Sequence, residues 1–241
     1  MHAHSVVNTG ATITYAVTVT DLNDQTPSWS TGSSINVAEG STAVATLAAT
    51  DTDSADSGGL NFALVTNDPS GAVFTLNGAT LTMTAQDYET PGCGGDSDSR
   101  TCNVVVRVTD AAGNSPSDLT IAVTVTDVND QTPTYTSSDT TPNIAEQTTA
   151  VETLTVTDTD TGDVNACTLG GADASSFSCT VNGDSVSLAF SSAPDFENPG
   201  SVDSDNDYSV TVTISDGVNT GATISYTVTV DDANDFTPTY S

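Results

Sequence analysis

A nine-residue phrase recurs three times along this chain at almost constant spacing. It reads Asp21-Leu22-Asn23-Asp24-Gln25-Thr26-Pro27-Ser28-Trp29, then Asp127-Val128-Asn129-Asp130-Gln131-Thr132-Pro133-Thr134-Tyr135, then Asp232-Ala233-Asn234-Asp235-Phe236-Thr237-Pro238-Thr239-Tyr240. The leading aspartates lie 106 and 105 residues apart. A fixed period is the signature of stacked structural units, so the 241 residues read as an array of two units rather than one large domain. A unit of this length matches a β-sandwich and can bury its own core. Each phrase also sets two acids and an asparagine beside a stiffening proline, an oxygen-rich joint that suits a hard cation.

Between the phrases the chain alternates apolar and polar residues with a period of two. Ile121, Val123 and Val125 alternate with Ala122, Thr124 and Thr126, and Ile224, Tyr226, Val228 and Val230 repeat the pattern before the third phrase. The preceding strands are predicted at 104–109 and 208–215. Earlier strands are predicted at 35–38, 44–50, 60–65, 73–76 and 80–84 in the first unit, and at 143–145, 151–157, 165–169, 177–181 and 185–190 in the second. Seven short strands per unit, with Gly, Asp and Asn at the breaks and no amphipathic helical stretch, predict an all-β fold of tandem Greek-key sandwiches.

The formal net charge is −30, from 32 acids against two basic residues, Arg100 and Arg107, with no lysine. Such a surface repels nucleic acid and anionic lipid heads and attracts divalent cations. Disorder is the other outcome of extreme acidity. It conflicts with a charged fraction of only 14% and with the regular apolar alternation. No apolar run is long enough to cross a bilayer. His2 and His4 stand in an N-terminal tail without the apolar core of a secretory signal.

Four cysteines fall as two local pairs, Cys93/Cys102 and Cys167/Cys179, one in each unit. Local pairing needs no long-range coincidence and predicts two intra-unit disulfides formed in an oxidising compartment. No Cys-x-x-Cys spacing supports zinc. Residues 7–15 match 218–226 almost letter for letter, so residues 6–20 read as the last strand of a unit whose body is absent. The alternative is a strand donated to a neighbouring molecule. The second unit already owns its final strand, which favours the first reading. The expected division is therefore 1–24 as the end of a preceding repeat, 25–130 and 131–235 as two full repeats, and 236–241 as the start of another.

With these marks the chain resembles the cadherin family, in particular the cadherin-like repeats of bacterial surface proteins. The phrase matches the family's Asp-x-Asn-Asp-x-x-Pro-x-aromatic linker. Each unit also carries the other acidic marks in order: a first-strand Glu (Glu39, Glu146), an Asp-x-Asp pair (Asp51/Asp53, Asp158/Asp160), a mid-repeat Asp-x-Glu (Asp87/Glu89, Asp195/Glu197) and a corner aspartate (Asp110, Asp216). The resemblance implies that these acids gather around Ca²⁺ at the joints between successive repeats. For the middle joint it implies Glu39, Asp87, Glu89, Asp127, Asp130, Asp158, Asp160 and Asp216, with oxygens of Val128, Asn129, Gln131 and Asn165. The first joint would have Asp21, Asn23, Asp24, Asp51, Asp53 and Asp110. The last would have Glu146, Asp195, Glu197, Asp232, Asn234 and Asp235. Only the middle joint has both halves, so partial occupancy is expected at the ends.

Elementary electrostatics points the same way. Two carboxylates about 5 Å apart at an effective dielectric near 20 repel by roughly 3 kcal/mol. Oxygen-only donors without His or Cys favour Ca²⁺ over zinc or copper. A lone Asp-x-Asp is more often a turn, and the acids outside the joints read as a solvated face. Asp203-Ser204-Asp205-Asn206-Asp207 looks like half of a calcium loop but lacks the distal glutamate, so a turn is expected there. Trp29 occupies the aromatic slot of the linker phrase, which gives it a packing role.

No catalytic constellation is present: no Ser-His-Asp or Cys-His set exists outside the tail, and no Gly-rich phosphate loop follows a strand. The expected function is a calcium-rigidified extracellular segment of a surface adhesin, stalk or fibre. Polysaccharide binding and self-assembly into a filament with other copies of the chain are the alternatives.

Overall fold

The computed structural model describes residues 10–53, 59–67, 74–90, 92–93, 100–160 and 165–234. They divide into two compact units, one drawn from residues up to 37, from 41–85 and from 92–124, the other from 38–40, 86–91 and 125 onward. The segments carrying Glu39 and Asp87–Glu89 thus group with the second unit.

The first sandwich has strands β1 (Ser28–Trp29), β2 (Ser34–Ala38), β3 (Ala43–Thr46), β4 (Ala49–Thr50), β5 (Asn61–Thr66), β6 (Phe74–Asn77), β7 (Thr80–Met83), β8 (Thr101–Thr109) and β9 (Leu119–Thr126). One sheet runs β2-β9-β8-β5 and the facing one β3-β7-β6, with β1 paired to β4. The second sandwich has β10 (Thr134–Thr136), β11 (Asn143–Ala145), β12 (Ala150–Thr157), β13 (Ala166–Gly170), β14 (Phe177–Asn182), β15 (Ser185–Phe190), β16 (Asp207–Ser215) and β17 (Ile224–Asp231). Its sheets run β10-β12-β15-β14 and β11-β17-β16-β13. The strand count departs from the expected seven. The tail of the linker phrase is itself a strand, pairing Trp29 with Ala49 and Tyr135 with Val156. The chain then crosses to the other sheet, where β11 runs parallel to β17. In the first sandwich the strand expected at 44–50 is split in two around Leu47–Ala48. Residue 73, expected at a strand start, lies outside the described residues.

Period-two alternation places every second side chain of a strand inward. In β8 this buries Cys102, Val104, Val106 and Val108, and in β16 it buries Tyr208, Val210, Val212 and Ile214. Phe177, Phe190 and Tyr208 form an aromatic group in the second core, with Phe177 stacked on Phe190 at 4.4 Å and Tyr208 edge-on to both. Removing a buried side chain of this kind costs about 2–5 kcal/mol. Trp29 packs against Phe62 with ring centroids 5.9 Å apart and donates its indole N–H to the Ser117 carbonyl. This is the packing role expected of it.

The corresponding hairpins of the two sandwiches, β6–β7 and β14–β15, both use a two-residue turn opening with glycine. Gly78 has φ +60° and Gly183 φ +58°, where a side chain would be strained. Both expected disulfides form, Cys93–Cys102 and Cys167–Cys179. The second ties β13 to β14, the edge strands of the two facing sheets, and so closes the open side of that sandwich. Residues 10–20 form no strand, and Ile13, Tyr15, Val17 and Val19 are exposed.

Candidate metal centre

Glu39 and Glu146 follow directly on β2 and β11, each at a turn whose next residue is left-handed: Gly40 at φ +69° and Gln147 at φ +64°. Both side chains are buried. Glu39 Oε1 accepts the Val128 amide at 2.8 Å and Oε2 accepts the Tyr88 amide at 2.7 Å. Glu146 repeats the arrangement with the amides of Ala233 and Phe196, both at 2.9 Å. Each glutamate thereby fastens the second residue of a linker phrase to the middle residue of an Asp-x-Glu. Two charge-assisted hydrogen bonds offset part of the cost of burying a carboxylate.

Around Glu39 the acids accumulate. One carboxylate oxygen each from Glu39, Glu89 and Asp127 lie within 4.8 Å of one another, and Glu89 forms a second such group with Asp130 and Asp160. Five carboxylates therefore share one neighbourhood, all within the second compact unit. Burial pushes the Glu89 carboxyl up to about 7, and the charges of Glu39 and Asp127 add to the shift. Both Glu89 oxygens are closed off from solvent without a hydrogen-bond donor, as are Asp158 Oδ2 and Asn165 Oδ1. A buried acceptor left unsatisfied costs about 1–3 kcal/mol. A cation satisfies oxygen acceptors that no protein donor reaches, so the residues present fit a hard metal ion.

The remaining members of the set hold loops in place. Asp87 Oδ1 accepts the amides of Glu89 and Thr90, and the Thr90 amide leads in holding this carboxyl below the usual carboxylate range. Asp160 Oδ2 accepts the Gln131 amide at 2.8 Å, and Asp158 Oδ1 accepts the Asp160 amide. Asp216 is buried, which works to raise its carboxyl, but the amides of Val218 and Asn219 hold it low. Asn219 also donates its side-chain amide to Asn129 Oδ1 at 2.7 Å. The expected Asn129 donor is a side-chain or backbone oxygen, and the side-chain one has a partner in Asn219. Asp87, Asp158 and Asp216 contribute to neither three-acid group.

The first-joint residues show part of the same design. Asp53 Oδ2 accepts the Gln25 amide at 2.7 Å, and Asp24 accepts the Gln25 side chain. Asp110 is buried and takes the Gly113 and Asn114 amides at 2.7 Å and the Asn114 side chain at 2.8 Å. The Asn23 side chain and Asp51 Oδ2 are closed off without a partner. No three-acid group forms among the described acids of this set.

At the last phrase, Glu146, Glu197 and Asp232 come within 4.8 Å of one another, with the latter two exposed. Asp195 Oδ1 accepts the Glu197 and Asn198 amides, and Asp232 Oδ1 accepts the Asn234 amide. Asp235 lies outside the described residues. Asp205 and Asp207 take hydrogen bonds from Ser201, Thr229 and the Asp207 amide, the pattern of a turn. Sequence reasoning missed the amides of Tyr88 and Phe196 and the side chains of Asn114 and Asn219. A signal existed for the asparagines, which follow each corner aspartate by four and three residues.

No protein-family model and no curated protein sequence matches the chain. Solved structures do. Human desmocollin-1 ectodomain aligns with a TM-score of 0.64 at 16% identity, over 88% of this chain and 43% of that one. Repeats EC22–24 of mouse cadherin-23 align at 0.60 and 20% identity, over 88% of this chain and 68% of that one. Protocadherin PcdhgB3 EC1–4 aligns at 0.52 and 22% identity, over 89% of this chain and 51% of that one. The chain thus spans about half of that protocadherin chain. The fold is that of tandem cadherin-like repeats.

Proposed function

We propose that these cadherin-like repeats bind Ca²⁺ at the Glu39 set, and that calcium stiffens the chain there as part of an extracellular adhesin, stalk or fibre. The observation that carries this reading is the crowding of four acids around Glu89, with both its oxygens closed off from solvent and lacking donors. Glu39, Glu89, Asp127, Asp130 and Asp160 would hold the ion, and Asn165 and Asp158 would add oxygens. All are hard donors, which suit calcium and disfavour metals that select nitrogen or sulfur. When bound, the ion supplies positive charge that neutralises the repulsion. Without it, five carboxylates must separate, and the segments they stand on loosen from one another. Affinity in the range of extracellular calcium modules, about 10⁻⁴–10⁻³ M, would keep the set filled only where calcium is abundant.

Two disulfides fit an oxidising exterior. The likeness to cadherin ectodomains supports an adhesive or structural role over an enzymatic one. Small-angle scattering in millimolar calcium and in chelator tests the reading. The maximum dimension should be sharply defined with calcium and the distance distribution should broaden without it. Identical curves in the two buffers would remove the mechanical role.

A further inference from the structure

The two hairpins with glycine turns carry a chemistry that the calcium reading does not use. The dipeptide Asn-Gly occurs twice in the sequence, at Asn77-Gly78 and Asn182-Gly183, 105 residues apart and so once per repeat. We propose that Asn77 and Asn182 are sites of spontaneous covalent modification, where the side-chain amide converts to aspartate or isoaspartate and the hairpin is thereby loosened. Each asparagine ends a strand, β6 or β14, and pairs across its turn with Thr80 or Ser185. Both asparagines are exposed, as are the glycines that follow them.

The reaction needs a free electrophile and a free nucleophile on adjacent residues. Among the described residues, no hydrogen bond engages the side chain of Asn77 or Asn182, and none engages the amide of Gly78 or Gly183. A Cβ at either glycine would meet nothing within 4 Å, so open space surrounds both. Glycine also sets no side chain beside its own nitrogen. The last pair of a ladder opens at little cost, which lets the asparagine swing its carboxamide onto that nitrogen. The glycine nitrogen attacks the asparagine Cγ. A C–N bond forms, the Cγ–Nδ2 bond breaks, and the glycine amide proton leaves with Nδ2 as ammonia. Water opens the resulting succinimide at either carbonyl, giving aspartate or an isoaspartate whose main chain runs through the former side chain. Water is the sole co-reactant. Asp216-Gly217 offers a similar dipeptide, but Asp216 is buried and its Oδ1 accepts the Val218 and Asn219 amides. Asn114 is held by Asp110 and precedes a serine.

The ladder determines what the modification does. The Ala79 carbonyl accepts the Leu47 amide at 2.7 Å, and the Asp184 carbonyl accepts the Val156 amide at 2.8 Å. These bonds continue the β3–β7 and β12–β15 ladders into the two turns. Isoaspartate adds a carbon to the main chain just before the glycine, which moves the turn out of register and draws those carbonyls away. Leu47 and Val156 are buried, so each amide then lacks an acceptor where water does not replace it. Both products also add negative charge to a chain already at −30, and at position 182 the new carboxylate stands two residues from Asp184.

The test is to age the full chain in mildly alkaline buffer and map its peptides by mass spectrometry. Asn77 and Asn182 should lose their amides about tenfold faster than Asn61, Asn103 and Asn143, exposed strand residues followed by Phe, Val and Ile. The aged chain should melt at a lower temperature than the fresh one, with the Leu47 and Val156 amide resonances displaced. The double variant Asn77→Gln, Asn182→Gln closes the ring far more slowly, and should keep its Tm and those resonances through the same treatment. Amide loss at Asn77 and Asn182 no faster than at the three strand asparagines would overturn the proposal. So would rapid loss there with the Tm and the Leu47 and Val156 resonances unchanged.

Discussion

The Glu39 and Glu146 sets begin alike and end differently. In both, a buried glutamate that closes a strand accepts two amides, one from the linker phrase and one from the Asp-x-Glu loop. Around Glu146 only Glu197 and Asp232 join it, and both are exposed to water. Around Glu39 four more acids gather, and Glu89 is shut in among them. The glutamate and its two amides are thus a fastening common to both sets. The extra acids are what call for a cation, because water screens the exposed Glu197 and Asp232 but does not reach the two Glu89 oxygens.

Substituting the two glutamates probes that difference most strongly. In calcium, Glu39→Ala leaves two buried amides without an acceptor and removes an ion ligand, and should lower unfolding stability by about 3–5 kcal/mol. Glu146→Ala should cost about 2 kcal/mol, since the surrounding acids are solvated. Urea denaturation of the two variants measures both, and equal losses would erase the distinction.

Proton competition is the next contrast. The Glu89 carboxyl, raised from 4.5 to about 7, favours its protonated form in the cation-free fold. Stability without calcium should therefore decline as pH rises from about 4.5 through 7. Calcium binds the ionised form, so its affinity at the Glu39 set should fall about tenfold between pH 8 and pH 6. The two acids that join Glu146 are exposed rather than enclosed, so the Glu146 set should lose less affinity over the same interval. Calorimetric titration at the two pH values separates the sets, and a parallel decline would contradict the burial argument.

The two Asp-x-Glu loops are held by different means, which offers a subtler test. After Asp87–Glu89 the chain reaches Cys93, bonded to Cys102 in β8. After Asp195–Glu197 it reaches Val202, whose amide donates to the buried Asp173 at 2.7 Å, while Asp173 Oδ2 takes the Ser209 amide. Replacing Cys93 and Cys102 together by Ala should weaken calcium at the Glu39 set about threefold to tenfold and leave the Glu146 set unchanged. The turn after each glutamate gives the smallest effect. Gly40→Ala should cost about 1 kcal/mol by thermal denaturation, because φ there is +69°, whereas Gln147→Ala should be near neutral, its site already holding a side chain at φ +64°.

Much of this was legible in the residues because alternation and spacing are local. Ile121, Val123 and Val125 announce an inward face whatever they meet, and the phrase and its partner acids recur in fixed order. The short pairing of Ser28–Trp29 was hidden because two residues show no period. Asp173 was hidden because a buried carboxylate is defined by the amides it meets 29 and 36 residues away. The same holds for Glu152, which takes the Tyr226 hydroxyl at 2.6 Å together with Ser137 and Ser138. Ile121 stands where Tyr226 stands in the other repeat, so comparing the repeats gives no hint of that network. Nor did spacing show that the Asn129 oxygen would be taken by Asn219.

A calcium titration followed by backbone amide NMR tests the central claim most directly. The amides of Tyr88, Val128 and Gln131 should shift and saturate at lower calcium than those of Phe196 and Ala233, with a separation of about tenfold. Simultaneous saturation of the two groups, or no calcium response at Tyr88 and Val128, would contradict the account.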